Sequence, residues 1–171
     1  VKPPSWVKET ASAWMATKWK VGEAYTAIET LFDMFQGAGA FESTIDSFSD
    51  QGPGIHIKKD LIDQLDGSIH FVTSPGDRTS NAVSDDMLIA VGVKDNQKFA
   101  DILNKVTAEK FPGETRELNG ATVYEIEPGG GQKISFTVAN SQLLVAIGGS
   151  QLEQVLRNDS DVRPLADSDD F

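Results

Sequence analysis

Residues 114–147 read ETRELNGATVYEIEPGGGQKISFTVANSQLLVAI, and the turn signals in this stretch decide the fold. Asn119-Gly120 separates ETREL from ATVYEIE and is the strongest two-residue signal for a β-hairpin. A glycine run follows Pro128, and the tripeptide ANS at positions 139–141 separates QKISFTV from QLLVAI. Four apolar runs joined by three short turns predict a four-stranded antiparallel meander with one buried face.

Two further strands and a helix are predicted immediately before the meander. MLIAVGV at positions 87–93 is almost wholly apolar, as expected of a central strand covered on both faces. SIHFVTS at positions 68–74 alternates between apolar and polar residues, and a polar connection over 74–86 joins the two runs. Asp95 is predicted to cap a helix. The apolar side chains of that helix are Phe99, Ile102, Leu103 and Val106.

Residues 23–66 show a helical period. Ala24, Ile28, Leu31 and Phe35 form a stripe at i, i+4, i+7 and i+11, which stops at Gly37-Ala38-Gly39. A second helix is indicated by Phe41, Ile45 and Phe48. A short third helix, with Ile57, Leu61 and Leu65 on one face, is predicted to end at Gly67. The phenylalanine-rich face of Phe32, Phe35, Phe41 and Phe48 is interpreted as core.

Both ends of the chain differ from this centre. Trp6, Trp14 and Trp19 lie in an extended segment over 1–22 that includes a weakly alternating strand. They suggest either carbohydrate stacking or, as the favoured interpretation, a cover over the open end of the core. Near the other end, a capping box at 150–153 predicts a helix with Leu152, Val155 and Leu156 facing inward.

The acidic segment over 158–171 contains RPLADSDDF, which resembles the approach to a further helix. Pro164 prevents the preceding helix from continuing, and Leu165 is expected to pin this segment to the sheet. We therefore expect a fragment of a longer protein, in which Phe171 is not buried.

These patterns predict a single α+β domain over 1–171, with a mostly antiparallel sheet packed against helices and a helical N-terminal half. The predicted parts are the extended segment 1–22, the helical region 23–66, the sheet with its helices over 67–157, and the acidic segment 158–171.

Composition and motifs exclude several classes of function. The chain has 15 basic and 26 acidic residues, a net charge of −11, which disfavours nucleic acid and anionic membrane surfaces. It has no cysteine and no apolar run of about 20 residues that could span a membrane. His56 and His70 are too few and too far apart in sequence to predict a metal site. No nucleophile or phosphate-loop motif occurs, so we predict no catalytic, cofactor-binding or metal-binding residue.

Several segments together resemble an uncharacterised bacterial family, the domain of unknown function of the 3352 type. They are GIHIKKDLIDQLDG, LIAVGVKDNQKFADILNKV, ELNGATVYEI, QLLVAIGGSQLEQVL and RPLADSDDF, and the likeness covers residues 54–171. The resemblance implies a longer parent protein, often exported or membrane-tethered, and hence an extracytoplasmic location. It implies no activity, so no functional residue transfers from it.

Three hypotheses for the function follow. The favoured one is a non-catalytic extracytoplasmic module that packs against neighbouring domains or a protein partner. The second is a carrier that holds an apolar ligand between the sheet and the helices. The third is a hydrolase with unrecognised carboxylates. An exposed apolar patch over a filled core would favour the module, an empty apolar cavity the carrier, and a cleft with converging carboxylates the hydrolase.

Overall fold

The computed structural model describes residues 2–51, 54–75, 86–108, 113–128, 133–148, 151–157 and 162–168. Its centre is one antiparallel sheet of seven strands in the order β1-β2-β3-β7-β6-β5-β4. The strands are β1 (Ala13–Lys18), β2 (Leu65–Ser74), β3 (Asp86–Val93), β4 (Glu114–Leu118), β5 (Ala121–Ile126), β6 (Ile134–Ala139) and β7 (Gln142–Ile147). The predicted α+β class, the antiparallel sheet and the C-terminal meander are confirmed.

Two of the meander turns are two-residue hairpins with left-handed backbone at both central positions. Asn119 has φ 50° and Gly120 has φ 80°, and Leu118 pairs with Ala121 across the turn. Asn140 and Ser141 have φ 54° and 58°, between the paired residues 139 and 142. Positive φ at both positions defines the type I′ turn, whose twist matches that of the strands it joins.

Gly120→Val is expected to lower the free energy of unfolding by about 1–2 kcal/mol, because a β-branched residue is strained at positive φ. An added Cβ would meet no atom within 4 Å, so the loss is conformational rather than steric. The measurement is urea unfolding of the variant beside a Gly120→Asn control. Asparagine tolerates this backbone region and should lose much less. Equal stability of the valine variant and the wild type would contradict the turn geometry.

The predicted central strand lies in the middle of the sheet. β3 pairs with β2 on one side and with β7 on the other, so it has a strand neighbour along both edges. β2 begins at Leu65, three residues earlier than the sequence indicates, and its register with β3 shifts between Leu65 and Ile69. Gly67 therefore lies at a bulge within a strand, and its prediction as a helix end is wrong.

One face of the sheet carries the main core. Its buried side chains come from the central strands, from the N-terminal segment and from the last helix. They are Val7, Val72, Leu88, Ala90, Val123, Leu144, Ala146, Leu152 and Val155. The opposite face holds the alternate side chains of β3 and β7. Ile89 and Val145 are half-buried there, whereas Val93 at the end of β3 is buried. The fold therefore has one well-covered sheet face and one less covered face.

Within the described residues, four α-helices accompany the sheet: α1 (Val21–Gln36), α2 (Ala40–Gln51), α3 (Asn96–Ala108) and α4 (Gln151–Arg157). Asp95 caps α3, accepting a hydrogen bond from the Lys98 amide at 3.0 Å, as predicted. Val106, which the sequence predicts among the apolar side chains of this helix, is exposed. The predicted third helix is instead a π-helical turn (Ile57–Leu61) followed by a 3₁₀ turn (Ile62–Gln64).

Both ends of the chain pack together at the covered face. Val7 is buried, and its carbonyl accepts a hydrogen bond of 2.8 Å from the Leu165 amide. Leu165 also contacts the core, which confirms that it pins its segment. Leu152 and Val155 of α4 are buried as predicted. The glycine run at 129–131, Ser150 of the capping box, much of the polar connection over 74–86, and Phe171 lie outside the described residues.

Candidate functional site

The first helix leaves much of its apolar surface exposed. Ile28, Leu31, Met34 and Phe35 retain 56%, 57%, 77% and 78% of their accessible surface. We call these four residues the α1 apolar face. Their spacing places them along one side of the helix. The prediction of a core role is wrong for Phe35, and α1 has no fully buried residue.

The side of α1 that packs against α2 sets the orientation of the helix. Tyr25 and Phe32 both meet the Phe41 ring edge-on, with centroid distances of 5.4 and 5.6 Å. Successive side chains of a helix lie about 100° apart, so the apolar side chains of α1 form an arc around the helix. Because Tyr25 and Phe32 at one border of this arc face α2, the rest of the arc faces solvent. Tyr25 and Phe32 are half-buried. The helix thus buries one border of its apolar arc and displays the α1 apolar face.

A carboxylate at the end of α1 fixes the turn into α2. The two oxygens of Asp33 accept hydrogen bonds of 2.9 Å from the Gly39 and Phe41 amides. The hydrogen bond from Phe41, followed by that from Gly39, lowers the pKa of Asp33 below its ordinary value. The predicted stop at Gly37-Ala38-Gly39 is confirmed, since α1 ends at Gln36 and α2 starts at Ala40. The two helices therefore form a hairpin held by this cap and by ring contacts.

The three tryptophans do not share one role. Trp6 and Trp14 are half-buried and pack against the core, in agreement with the favoured interpretation. Trp19 retains 58% of its surface, as does Met15 on β1. Of the seven large apolar side chains that are exposed within the described residues, six lie between positions 15 and 35. Exposed apolar surface is therefore concentrated in the N-terminal quarter of the chain.

A network of ion pairs surrounds Glu125 of β5, near the edge of the sheet formed by β4. The two oxygens of Glu125 contact Arg116 Nε at 2.9 Å and Lys133 Nζ at 2.6 Å. Arg116 also donates to Glu153 of α4 at 2.8 Å. Burial raises the pKa of Glu125, but the hydrogen bonds from Lys133 and Arg116 outweigh it, and the pKa lies below its ordinary value. Glu125 therefore stays ionised as a structural anion, whereas a general acid needs a raised pKa.

The two histidines have separate structural positions. His56 precedes the helical turns, and its Nδ1 faces the Lys59 amide at 3.5 Å. His70 is half-buried on β2, between Trp6 at 5.7 Å and Trp14 at 6.2 Å between ring centroids. Its predicted place on a half-buried strand is confirmed. No group of three or more metal-ligating side chains comes together within the described ranges.

The surroundings of His70 make the stability depend on pH. Burial lowers the pKa of His70 below 6.5, and nearby Asp66 offsets only part of this effect. The folded chain therefore binds the proton less tightly than the unfolded chain. The contribution of neutral His70 to the stability is complete above pH 6.5 and is lost as the pH falls through the pKa of His70 in the folded chain.

We expect the free energy of unfolding to fall more for the wild type than for His70→Phe between about pH 7.5 and about pH 5. Comparison of the two proteins removes the contribution of carboxylates, which titrate in both. Urea unfolding at each pH measures the difference. Parallel pH profiles for the two proteins would contradict this role of His70.

A cleft of about 410 Å³ lies between α3 and the two type I′ turns. Its lining is mainly polar and includes Asn96, Gln97, Asn104, Asn119 and Asn140. The Tyr124 hydroxyl donates a hydrogen bond to Asn104 in this lining. The lining is the opposite of what an apolar ligand needs, since such sites are formed mainly by hydrophobic side chains. Phe32, Phe35 and Phe41 do not line the cleft, and the side chain of Phe48 lies outside the described part of the structure.

No family model, curated protein or solved structure matches this chain. Among the described helices, none is both long enough and apolar enough to cross a membrane.

Proposed function

We propose that the chain is a non-catalytic, extracytoplasmic interaction module of a larger bacterial protein, and that it binds a protein partner through the α1 apolar face. The observation that carries the proposal is the exposure of Ile28, Leu31, Met34 and Phe35 on one side of one helix. Single exposed apolar residues are ordinary, but a group of large ones on one surface is typical of an interaction site.

The rigidity of the hairpin supports the proposal. The Asp33 cap and the contacts of Tyr25 and Phe32 with Phe41 hold α1 before any partner arrives. A surface that is already ordered pays less conformational entropy on binding. The same exposed side chains contribute little to the stability of the folded chain, because they lose little accessible surface on folding.

The carrier and the hydrolase have less support. The 410 Å³ cleft is lined mainly by polar groups, which does not suit an apolar ligand. The carboxylate of Glu125 is neutralised by Arg116 and Lys133, which leaves it neither protonated nor free as a base. The extracytoplasmic location and the 3352-type family are proposals that rest on the resemblance of residues 54–171 alone.

A photo-crosslinking amino acid placed at position 35 tests the proposal in cells that make the parent protein. We expect one discrete protein adduct at this position. The matched control carries the same amino acid at Val106, which retains 48% of its surface on α3 and should give no such adduct. Leu31→Ser combined with the crosslinker at 35 should abolish the adduct. The same adduct pattern from positions 35 and 106, or none from 35, would contradict the proposal.

A further inference from the structure

The α1 apolar face lies on an anionic part of the chain. Residues 21–57 contain six carboxylates and no lysine or arginine. The carboxylates are Glu23, Glu29, Asp33, Glu42, Asp46 and Asp50. This stretch contains α1 and α2, so the hairpin that displays the apolar face has a strongly negative local charge.

Packing places part of this charge beside α1. Glu29 lies one helical turn after Tyr25, and Glu42 follows Phe41, whose ring centroid is 5.4 Å from that of Tyr25. Burial raises the pKa of the Tyr25 hydroxyl, and Glu29, Glu42, Asp46 and Asp63 raise it further. Lys58 lies on the same side, with its ammonium 5.7 Å from the Tyr25 ring centroid. At the start of the helix, Glu23 is paired with Lys20 at 2.8 Å. Carboxylates thus outnumber cations around the border of α1 that carries Tyr25.

The charge disfavours two occupants of the apolar face. A second copy of the chain would bring the same acidic border and the same net charge of −11, and the two would repel each other. An anionic lipid surface would be repelled in the same way. A partner with positive charge beside its apolar residues would instead be attracted and would gain in association rate.

The α1 apolar face suits a helix laid alongside it. The face extends from Ile28 to Phe35, eight of the 16 residues of α1, which corresponds to about two turns or about 12 Å. Ile28, Leu31 and Phe35 follow an i, i+3, i+7 spacing along it. A helix laid alongside such a row places its own apolar side chains between the exposed ones and brings its flanking residues to the acidic border.

We propose that the α1 apolar face binds a basic amphipathic helix of a partner protein. This inference rests on the proposed function and adds the chemistry of the partner. Apolar residues of the partner cover Ile28, Leu31, Met34 and Phe35, and its lysines or arginines face the carboxylates near Tyr25.

Fluorescence anisotropy with three labelled peptides of about 18 residues tests this inference. The first peptide has a leucine face flanked by lysine and arginine, the second has the same leucine face flanked by glutamate, and the third is a scramble of the first. We expect the first to bind at least about tenfold more tightly than the others. Its affinity should fall when the salt is raised from about 0.05 M to about 0.5 M, because salt screens the charges.

Variants separate the apolar and the charged contributions. Leu31→Ser with Phe35→Ser keeps every charge and should reduce binding of the first peptide by about tenfold or more. Glu42→Gln with Asp46→Asn keeps the apolar face and should reduce the preference for the basic over the acidic peptide. Val106→Ser is the matched control for loss of an exposed apolar group and should bind as the wild type does.

The outcomes distinguish this inference from the proposed function. Equal binding of the basic and acidic peptides, with both lost in Leu31→Ser/Phe35→Ser, would overturn the basic partner and keep the interaction surface. If the basic peptide still binds after loss of Leu31 and Phe35, its binding reflects a general attraction to an acidic protein, and the inference is overturned. Concentration-dependent dimerisation that those substitutions abolish would overturn it in favour of a second copy. Binding to neutral lipid vesicles through the same residues would overturn it in favour of a membrane.

Discussion

Replacement of Gly67 by alanine is expected to lower the free energy of unfolding by about 2–5 kcal/mol. Gly67 has φ +87°, where a side chain costs about 1–2 kcal/mol, and its Cβ would lie 2.2 Å from the carbonyl oxygen of Trp19. The obstacle is backbone, so the overlap forces β1 away from β2 and adds about 1–3 kcal/mol. In the alanine variant, the same movement strains the hydrogen bond of 2.7 Å that the Trp19 amide donates to the Gly67 carbonyl.

Gly22→Ala is the matched control for this prediction, and both variants are measured by urea unfolding. Gly22 lies in the first turn of α1 with no atom within 4 Å of an added Cβ. Alanine favours the helix there by up to about 1 kcal/mol, so this variant should be as stable as the wild type or more stable. Similar losses in the two variants would show that the close approach of Trp19 to Gly67 does not constrain the fold.

Leu144→Ala is expected to lower the free energy of unfolding by about 2–5 kcal/mol through the cavity that it leaves. Leu144 is fully buried, with 0% of its surface exposed, and lies on β7 between Ala90 of β3 and Thr137 of β6. Neighbours on both sides belong to the centre of the sheet, which cannot move in to fill the space. Thermal or urea unfolding measures the loss.

Leu31→Ala makes the same chemical change on the α1 apolar face and serves as the control. Leu31 retains 57% of its surface, so its truncation removes few contacts from the folded chain. Alanine also has the higher helix propensity, and we expect a change within about 0.5 kcal/mol. A loss at Leu31 as large as that at Leu144 would contradict the exposure of the α1 apolar face and, with it, the proposed function.

The features that the sequence predicted are those that depend on neighbouring residues. Asn119-Gly120 specifies its turn because few residue pairs accept positive φ twice in succession. The apolar run of β3 indicates a central strand without knowledge of its partners. The capping aspartate at 95 likewise acts on an amide only three residues away.

The features that the sequence did not predict depend on distant contacts. The period of α1 gives the direction of its apolar arc, but only the packing of Tyr25 and Phe32 on Phe41 decides which part is exposed. Glu125 pairs with Arg116 and Lys133, and nothing in the sequence indicates which of the many charged residues pair with one another. The excess of acidic residues over 21–57 is visible in the sequence, but it indicates a binding partner only once the structure shows that α1 exposes apolar side chains in the same region.

The strand order has a consequence for how the chain folds. β1, β2 and β3 are neighbours in the sheet and in strand order, and so are β4 to β7. The two groups meet only where β3 pairs with β7, with Met87 opposite Ile147, so this seam closes a loop of about 60 residues. The pairing of β2 with β3 and the hairpins of β4 to β7 require much shorter loops, whereas β1 joins β2 across a loop of about 50 residues, with Lys18 opposite Ser68. We therefore expect these hairpins to form early, and the pairing of β3 with β7 and of β1 with β2 to set the folding rate, since non-local pairing is slow.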